Sequence, residues 1–523
     1  MAEQIPVLIV GGSLVGLSAS VLLGRHKVPH IVIERHQGTA IHPRAAAFHQ
    51  RTLEIFRDGA IEQAVEQAAE REFVQNGAIN AVESLGGREL ATFYANVNAG
   101  VEELSPARRL FITQIGLEPV LRARAVELGA DLRYATELVR FMQDGDGVEA
   151  IVRQRDGGPE YAIRARYMIA ADGAHSPVRK ALGIEMLGRG EFARCATIYF
   201  RADVRGLLRG RNLSVVYVNQ PRQLAFFRFS IGGDAGFLAV FKAFDARGQR
   251  DPALERELSE AESLELVRSA LGVADDFDVA IENVQYWTAT AATAAAFRKD
   301  NVFLAGDSAH LMPPTGGFGG NTGVADAHNL AWKLAMVLRG EAGPALLDSY
   351  EEERRPIAEM TVEQAYRRYV ERVDPSLPAD DLAPNLADTA IELGAVYHGS
   401  AVFSEDDDGA ITEAPERPSG RPGRRIGHVW LSGNGASVST LDLTADGFAL
   451  VAGPEAHSWM AAAAASGLDC QQVPEAVARA IGIGRDGALV LRPDGVIGWR
   501  SWGSVPDTGR VLVDVLRRLA NHA

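Results

Sequence analysis

Val7-Leu-Ile-Val-Gly-Gly-Ser-Leu-Val-Gly16 is the segment from which the architecture of this chain can be predicted most directly. Its first four residues are an apolar, β-branched run, which is typical of a buried parallel strand. A helical pattern continues from there to Arg25, and His30 to Glu34 forms a second apolar run. The segment therefore predicts a strand, a tight turn, a helix and a second strand, which together make one β-α-β unit.

The tight turn has the spacing of a phosphate-binding loop. Gly11, Ser13 and Gly16 occupy the three positions of a G-x-G-x-x-G pattern, with serine in place of the middle glycine. A turn without side chains lets the N–H groups at the start of the helix face a pyrophosphate. Glu34 ends the second strand, where a carboxylate accepts both hydroxyl groups of a ribose and repels a 2′-phosphate. These residues predict a site for a dinucleotide such as FAD or NAD.

The composition excludes several other classes of protein. The chain has 523 residues, and its 53 Lys and Arg against 68 Asp and Glu give a formal net charge of −15. Such an acidic chain does not suit nucleic acid, whose phosphates require a basic face, or an anionic membrane surface. Cys195 and Cys470 are too few for a disulfide framework or a cysteine zinc site, and we expect no metal. The sequence has neither a membrane-length apolar run nor a basic leader, so we expect a cytoplasmic protein.

The pattern of strands changes along the chain and divides it into regions. Short aromatic-rich runs between Arg194 and Asp245 alternate with Gly, Pro and Asn, which predicts an antiparallel sheet inserted into the α/β domain. The run Asn301 to Ala305 and a helix from Gly323 to Leu338 predict a return to that domain. A stretch rich in Pro, Gly and acidic residues then precedes a final region with the order β-α-β-β-α. The expected boundaries are 1–180 and 291–403 for the α/β domain, 181–290 for the inserted sheet, 404–426 for a linker and 427–523 for the last domain.

A second glycine-rich segment, Leu304 to Lys333, favours a flavin over a nicotinamide. Gly306-Asp307 ends a strand with a carboxylate that can hold a polyol hydroxyl. The glycines of Gly316-Gly-Phe-Gly-Gly320 allow the backbone to approach a flat ring closely. The following helix points its N-terminus at that ring, where it would stabilise negative charge. A dehydrogenase would need only the first site, so the second segment predicts FAD.

Three further motifs complete this pattern, and they are Asp172-Gly-Ala-His-Ser-Pro-Val-Arg179, Pro313-Pro314 and Asn321-Thr-Gly323. With them, the chain resembles the group A flavoprotein aromatic hydroxylases, the para-hydroxybenzoate hydroxylase-like FAD monooxygenases. It is most similar to the polyketide hydroxylases of the tetracenomycin and anthracycline type. The resemblance implies an α/β FAD-binding domain of the glutathione-reductase-like Rossmann type, an inserted antiparallel β-sheet substrate domain and a C-terminal thioredoxin-like domain. The last domain lacks C-x-x-C, so it is not expected to exchange disulfides.

The resemblance also implies which residues bind the cofactor. In the family the Pro-Pro loop lies beside the reacting edge of the flavin, so Pro314 is expected to shape the site without carrying a proton. Backbone of the Gly-Gly-Asn stretch meets the pyrimidine edge of the ring, which implicates Gly320 and Asn321. The expected FAD-binding residues are Gly11, Ser13, Gly16, Glu34, Arg35, Arg44, Gln114, Asp172, Asp307, Pro314, Gly320 and Asn321.

The inserted sheet is expected to lie over the flavin and to hold the substrate. Tyr217 and Arg228 are its polar candidates for contact with a phenolate or quinone oxygen, and with Pro314 they are the catalytic-site candidates. Alternation along the strand gives two faces, one with Leu224, Phe226 and Arg228 and one with Ala225, Phe227 and Phe229. The sequence does not decide which face lines the cavity, and it identifies no catalytic base.

The chemistry of the family sets the expected function. NADPH or NADH binds transiently and reduces FAD, the reduced flavin and O₂ form a C4a-hydroperoxide, and its distal oxygen passes to an electron-rich aromatic carbon. The expected substrate is a bulky phenolic or quinonoid aromatic, such as a polyketide intermediate of antibiotic biosynthesis. The sequence is compatible with a homodimer.

Two alternatives stay open on the sequence. The same peroxide can insert oxygen next to a ketone, in a Baeyer–Villiger reaction, and nothing in the sequence separates the two outcomes. A flavin-fold protein that binds ligands without catalysis would carry the same motifs. A flavin halogenase is discounted, because it would show a Trp-x-Trp-x-Ile-Pro segment and Trp499-Arg-Ser-Trp502 has the wrong spacing.

Overall fold

Two large sheets contain the described strands between Glu3 and Leu311. The computed structural model describes residues 2–41, 46–221, 223–243, 256–405, 409–433, 436–444 and 446–522. The strands of the two sheets, numbered along the chain, are β1 (Glu3–Val10), β2 (His30–Ile33), β3 (Ala78–Val82), β4 (Glu89–Tyr94), β5 (Asp131–Arg133), β6 (Thr136–Asp144), β7 (Gly147–Gln154), β8 (Glu160–Ala170), β9 (Met186–Arg201), β10 (Leu213–Gln220), β11 (Gln223–Phe229), β12 (Ala235–Ala243), β13 (Ala280–Ala294), β14 (Arg298–Lys299), β15 (Val302–Leu304) and β16 (His310–Leu311).

The first sheet contains the strands predicted near the start of the chain. Its order is β14-β15-β8-β1-β2-β5, and β7 and β6 extend it from β8. The strands β1, β2, β5, β8 and β15 run parallel. Ala170 pairs with Val10 on one side and with Leu304 on the other, so the carboxyl ends of β1, β8 and β15 lie side by side. Ligands of open α/β sheets bind at this edge.

The second sheet covers more of the chain than the aromatic-rich runs predicted. Its order is β16-β13-β9-β12-β11-β10-β3-β4, and its pairs are antiparallel except β10 with β3. The strands β3 and β4 come from within residues 1–180 of the sequence, and β13 reaches Ala294. The sheet therefore draws its strands from both sides of the inserted region.

The helices pack around these sheets and, numbered along the chain, are α1 (Leu14–Arg25), α2 (Gln50–Asp58), α3 (Glu62–Glu72), α4 (Gln114–Glu127), α5 (Pro177–Ala181), α6 (Arg205–Leu208), α7 (Glu260–Leu271), α8 (Phe318–Arg339), α9 (Ser349–Arg372), α10 (Asp388–Leu393), α11 (His457–Ala465), α12 (Glu475–Ala480) and α13 (Thr508–Leu519). Within the described ranges, no helix has the length and apolar character needed to cross a membrane.

The start of α8 differs from the sequence prediction. The helix begins at Phe318 and not near Gly323, because Gly317 ends the loop in a left-handed conformation (φ +70°) and the buried Phe318 side chain anchors the first turn. Glycines disfavour a helix interior, so the sequence alone places Gly319 and Gly320 in the loop. As a consequence, Gly320 and Asn321 lie in the first turn of α8.

The C-terminal domain holds two smaller sheets. Its strands are β17 (Trp430–Gly433), β18 (Ala436–Ser439), β19 (Ala449–Ala452), β20 (Asp469–Gln472), β21 (Ala488–Leu491) and β22 (Ile497–Ser501). The strands β17 and β18 form a hairpin, and the other four have the order β20-β19-β21-β22. The structure adds β17, β18, β20 and α12 to the predicted order, and β20 escaped prediction because it is polar and mostly exposed.

The stretch predicted as a linker packs on the C-terminal domain where it is described. Arg425 forms a β-bridge with Val496, and the Arg500 guanidinium holds both carboxylate oxygens of Glu405 at 2.6 Å. Residues 406–408, the rest of the acidic run, lie outside the described residues.

Candidate active site

The predicted phosphate turn joins β1 to α1 and leaves space only for glycine. A methyl group on Gly11 (φ +108°) would lie 2.2 Å from the Ala171 carbonyl oxygen, and one on Gly16 would lie 1.8 Å from the Gly11 carbonyl oxygen. The first turn of α1 thus packs directly on the strand ends of the sheet. The N–H groups at the start of α1 face the edge at which ligands bind.

Ser13, in place of the middle glycine, is held by a residue that the sequence analysis missed. Its hydroxyl donates to Glu118 Oε1 at 2.5 Å, and the Leu14 N–H donates to the same oxygen at 3.0 Å. Gln114, one helical turn before Glu118, donates to that oxygen at 3.1 Å. Glu118 is fully buried, and its spacing of four residues from Gln114 places both side chains on one face of α4. That spacing was the signal that could have identified Glu118.

Glu34 lies beside the same turn, with both carboxylate oxygens directed by N–H groups. The Gly12 N–H donates to Oε2 at 2.7 Å, and the His36 N–H donates to Oε1 at 2.8 Å. Glu34 is buried, whereas Arg35 is exposed. Arg44, which was also predicted to bind FAD, lies outside the described residues.

Asp172 follows β8 and orders the turn that leads into α5. Its carboxylate accepts from the Ser176 hydroxyl at 2.6 Å and from the Val178 N–H at 3.1 Å. Burial raises the pKa of Asp172 above its ordinary value, against the lowering effect of these hydrogen bonds. In α5, which follows this turn, Arg179 donates to the Ser308 carbonyl at 2.8 Å. The Asp172 turn is thereby tied to the turn that carries Asp307.

Asp307 lies in a 3₁₀ turn, Gly306–Ser308, that follows β15, and its side chain is exposed. The turn is anchored from behind, since the Gly306 N–H donates to the buried Asp326 at 3.0 Å. A methyl group on Gly323 would lie 2.6 Å from Val15 Cγ2 and 3.0 Å from Gly306 Cα. The first turn of α1, the Asp307 turn and α8 therefore touch each other, although they are distant in sequence.

Asn321 connects the start of α8 to the segment that precedes α2. Its Oδ1 accepts from the His49 N–H at 2.9 Å and from the Thr52 hydroxyl at 2.6 Å. Its Nδ2 donates to the Ala47 carbonyl at 3.1 Å and to the Gly317 carbonyl at 2.7 Å. Gly320 beside it is half-buried. Pro314, earlier in the loop, is exposed, and its carbonyl accepts from the Gly317 N–H at 3.0 Å.

One face of the second sheet packs in its own core. The other face is turned to the α/β domain built on the first sheet, which is called the first domain below. Ala225, Phe227 and Phe229 are buried in the core that α7 completes. The opposite face carries Phe226 and Arg228, because their neighbours on β11 alternate with them. Since Arg228 reaches the Ala46 carbonyl of the first domain, this second face is the one that meets the predicted flavin site.

That face is lined with aromatic rings in edge-to-face and tilted contact. Tyr217 lies 6.1 Å from Phe226 and 5.9 Å from Phe93, measured between ring centroids. Phe226 in turn lies 5.7 Å from Phe237 and 5.6 Å from Phe241. The rings of Tyr217, Phe226 and Phe237 are half-buried. A flat aromatic molecule could pack against them in the same geometry.

Arg228 is the charged group of this aromatic face. It is 5% exposed, and its guanidinium lies 4.4 Å from the centroid of the Phe111 ring and 5.2 Å from that of Phe73. Burial lowers the pKa of Arg228 to about 9, because the opposing effects of Tyr217 and Glu72 do not offset the loss of water. Burial also raises the pKa of Tyr217, although the nearby Arg372 acts to lower it. Both predicted polar residues are therefore on the face that meets the first domain.

Two groups of residues at this edge of the first sheet fit FAD. The glycine turn with Glu34 matches the adenosine diphosphate half, and the glycine-rich start of α8 matches a flat ring. Glycine is required at Gly11, Gly16 and Gly323 because other segments occupy the space of a Cβ. Such close backbone approach is what a dinucleotide cleft at the carboxyl edge of a parallel sheet requires.

A dinucleotide cleft of this form, covered by an aromatic antiparallel sheet, defines a flavin-dependent monooxygenase. Residues 4–365 match the FAD binding domain family, and residues 419–523 match the family described as aromatic-ring hydroxylase, C-terminal. The chain belongs to the FAD-dependent aromatic-ring hydroxylases, which confirms the family that its motifs predicted. It is an enzyme that uses FAD and takes electrons from NADPH or NADH.

Named relatives match nearly the whole chain. The 4-methyl-5-nitrocatechol 5-monooxygenase of a Burkholderia species is 47% identical, over 98% of this chain and 97% of the relative. The tetracenomycin B2 monooxygenase-dioxygenase of Streptomyces olivaceus is 37% identical, over 99% of this chain and 98% of the relative. Among solved structures, aklavinone-11 hydroxylase in a ternary complex with FAD and aklavinone has a TM-score of 0.92 at 35% identity, with 100% of both chains covered. The fold is thus that of the FAD-binding aromatic hydroxylases, with mixed sheets and a C-terminal domain.

Proposed function

We propose that this enzyme hydroxylates a bulky phenolic or quinonoid aromatic, held between the aromatic face of the second sheet and the loop Gly316 to Asn321. The observation that carries the proposal is the incomplete hydrogen bonding of the buried Arg228 side chain. Its Nη1 donates to the Ala46 carbonyl, whereas its Nε has no hydrogen-bond partner among the described residues. A buried donor without a partner is costly. A phenolate oxygen bound to the guanidinium would compensate the buried charge, and a quinone oxygen would accept a hydrogen bond from it.

The names of the relatives support this substrate class and also limit its range. Their names give as substrates a nitrocatechol, tetracenomycin B2 and aklavinone, which are all oxygenated aromatics. For this chain we favour a polyketide-type substrate, since the aromatic face continues from Tyr217 on β10 to Phe241 on β12. A nitrocatechol is the competing class, because the relative with that activity has the higher identity.

The chain's own residues bind, orient and shield the substrate. Bound FAD, once reduced by NADPH or NADH, supplies the activation of O₂ and the transfer of one oxygen atom. Arg228 would hold the phenolic oxygen and favour its deprotonated form, in which the ortho and para carbons are more electron-rich. Tyr217 would donate to the same or a neighbouring oxygen, and the rings of Phe226 and Phe237 would exclude water. Pro314 would shape the loop beside the reacting edge of the ring.

We infer that the cofactor is held by the residues that the motifs selected. Glu34 would bind the ribose, the turn Gly11 to Gly16 the diphosphate, and Asp307 the ribityl chain. The finer fold assignments belong to the same proposal. The parallel strands β5-β2-β1-β8-β15 support a glutathione-reductase-like Rossmann domain, and the order β20-β19-β21-β22 with α11, α12 and α13 supports a thioredoxin-like C-terminal domain. The remaining proposed FAD contacts are Ser13, Arg35, Arg44, Gln114, Asp172, Pro314, Gly320 and Asn321.

The proposal is tested by NAD(P)H oxidation with a panel of aromatic ligands. The panel should hold phenolic and quinonoid polyketides, 4-methyl-5-nitrocatechol and a non-phenolic arene of similar size. We expect a polyketide to stimulate NAD(P)H oxidation and to gain one oxygen atom, read by mass, and the arene to do neither. NMR of the product then distinguishes a hydroxylated ring from a lactone, which would mean Baeyer–Villiger insertion. Coupled turnover of the nitrocatechol alone would overturn the polyketide assignment.

A substitution at Arg228 tests the proposed role of its side chain. We expect Arg228→Gln to lower kcat/KM by roughly 10- to 100-fold, because a hydrogen bond to a charged group contributes about 1.5–3 kcal/mol. NAD(P)H oxidation would continue but release more H₂O₂, since the substrate is no longer oriented. Arg201→Gln is the matched control, because Arg201 is an exposed arginine of the same sheet that pairs with Glu282. Equal coupling in Arg228→Gln and the unsubstituted enzyme would contradict the assignment.

A further inference from the structure

The hairpin between β21 and β22 inserts its charged residues into the first domain. Arg492 and Asp494 belong to the C-terminal domain, yet their side chains are 0% and 2% exposed. The Arg492 guanidinium binds Glu353 of α9 in a two-pronged contact, with distances of 2.7 and 2.8 Å. It also binds the Asp494 carboxylate at 2.6 and 3.0 Å, and it lies 5.0 Å from the centroid of the Trp332 ring.

The same ion cluster continues into α8. Lys333 Nζ lies 2.9 Å from Glu353 Oε2, and both side chains are 0% exposed. Asn329, one turn earlier on α8, donates to that oxygen at 2.6 Å and accepts from Lys333 at 2.8 Å. The hairpin is therefore linked through α9 to the helix whose first turn begins at the flavin loop.

The hairpin also holds the first turn of α2. The Asp494 carbonyl accepts from Arg51 Nη2 at 2.6 Å. Arg51 adjoins Thr52, whose hydroxyl donates to Asn321 Oδ1 at 2.6 Å. The two helices that the hairpin contacts, α2 and α8, therefore meet at Asn321, on the side of the predicted flavin site.

A buried ion cluster of this kind is poorly explained by stability alone. Removing charges from water costs about as much as their pairing returns, so apolar residues of similar size are often equally stable. What such a cluster does provide is a fixed relative position for the groups that it joins, because each partner must be matched in direction and distance. Here those groups are α2, α8 and α9.

We propose that the hairpin Arg492 to Gly495 of the C-terminal domain sets the spacing of α2 and α8, and that Arg492 and Asp494 are positioning residues for the flavin site. The proposal rests on the assignment of Asn321 to the flavin. It gives the C-terminal domain a role in cofactor binding that needs no chemistry of its own.

The test uses Arg492→Lys and Asp494→Asn in the full chain. Arg492→Lys keeps the charge but cannot make the two-pronged contact. Asp494→Asn keeps the size of the side chain but removes its charge. We expect the Kd for FAD, measured by titrating the apoprotein, to rise about tenfold. We also expect the visible circular dichroism of the bound flavin to change, because its surroundings shift. A fall in melting temperature with an unchanged Kd and an unchanged flavin spectrum would show a stability role only and would overturn the proposal.

Two further variants keep the test decisive. Arg51→Met removes the hydrogen bond from α2 to the hairpin and the ion pair with the buried Glu54, and it leaves the Arg492 cluster intact. It should weaken FAD in the same direction, and unchanged binding in this variant would count against the proposal if the Arg492 variant does not fold. Arg485→Ala, which breaks an exposed pair with Glu455 within the C-terminal domain, should leave the Kd unchanged. If Asp307→Ala loosens FAD while the hairpin variants do not, the proposed cofactor site stands and the hairpin proposal fails.

Discussion

Ser13 shows how a departure from a motif is compensated by a side chain elsewhere in the sequence. The pattern G-x-G-x-x-G allows a small residue at its middle position, and the structure adds that the serine hydroxyl is bound by Glu118. The carboxylate also accepts from the Leu14 N–H, so it orders the first turn of α1. A serine at this position is therefore part of the local structure and not merely tolerated.

Asp307 is the residue whose substitution tests the proposed cofactor site most directly. We expect Asp307→Ala to raise the Kd for FAD by about 10- to 100-fold, because a hydrogen bond to a charged group contributes about 1.5–3 kcal/mol. The measurement is a titration of apoprotein with FAD, followed by flavin fluorescence. Asp275→Ala, at an exposed position between α7 and β13, is the control and should bind FAD as the unsubstituted protein does. Full FAD occupancy in the Asp307 variant at low FAD would show that this carboxylate does not hold the ribityl chain.

At the level of single residues, the sequence predicted positions better than it predicted contacts. Gly11 and Glu34 were identified because turns and strand ends follow from local patterns. Asn321 was expected to face the flavin, but its hydrogen bonds to His49 and Thr52 join segments about 270 residues apart. Contacts over such separations depend on how elements pack, and one sequence carries no local signal for them.

Among the elements, β11 illustrates what alternation can and cannot decide. Leu224, Phe226 and Arg228 alternate with Ala225, Phe227 and Phe229, and both sets are largely apolar. The pattern fixed which side chains share a face, and the structure agrees. The choice of the core face was made by α7, whose Val267 and Leu271 pack on Phe227 and its neighbours. When a strand is apolar on both faces, its sequence does not show which face packs in the core.

The contact between α1 and α8 can be tested with one added methyl group. Gly323→Ala places a Cβ 2.6 Å from Val15 Cγ2 and 3.0 Å from Gly306 Cα, so α8 or the Asp307 turn must shift. We expect a loss of about 1–3 kcal/mol in unfolding free energy, together with weaker FAD binding. Denaturant unfolding and FAD titration measure the two effects.

The control for this prediction is Gly509→Ala in α13, where a Cβ would have no atom within 4 Å. Alanine favours a helix over glycine by up to about 1 kcal/mol, so this variant should be as stable as the unsubstituted protein or slightly more stable. If Gly323→Ala behaved like the control, the two segments would not be in the close contact described.

In the whole molecule, the C-terminal domain is joined to the first domain by charged pairs that the sequence could not reveal. Arg57 binds Asp442 with distances of 2.7 and 2.9 Å, and Arg425 Nε binds Glu54 at 2.9 Å. The sequence predicted a final domain behind a linker, with its own strands and helices. The C-terminal partners of Glu54 and Arg57 are more than 370 residues away, and the sequence gives no indication of which carboxylate each arginine meets.

Glu54 should make part of the stability depend on pH. Burial acts to raise the pKa of Glu54, but Arg425 and Arg51 outweigh it and lower the pKa from 4.5 to about 2. A carboxyl whose pKa is lower in the folded state contributes stability above its unfolded pKa, and that contribution is lost as the pH falls through the folded pKa. We expect Glu54→Gln to cost about 2–4 kcal/mol at pH 7. The difference from the unsubstituted protein should shrink between pH 4.5 and 2.

Urea unfolding at a series of pH values measures this difference. Glu455→Gln, which removes an exposed pair with Arg485, is the control and should show little change at any pH. A constant gap between Glu54→Gln and the unsubstituted protein across the acid range would mean that Glu54 does not titrate with folding.

The parallel pairing of β15 with β8 has a consequence for folding during synthesis on the ribosome. Residues 168–170 of β8 gain their second neighbour only when residues 302–304 have left the exit tunnel. Until then the nascent chain presents an open strand edge, which can pair with other chains. Asp307, the proposed ribityl contact, follows β15 directly, so the proposed flavin site is completed only after the same event.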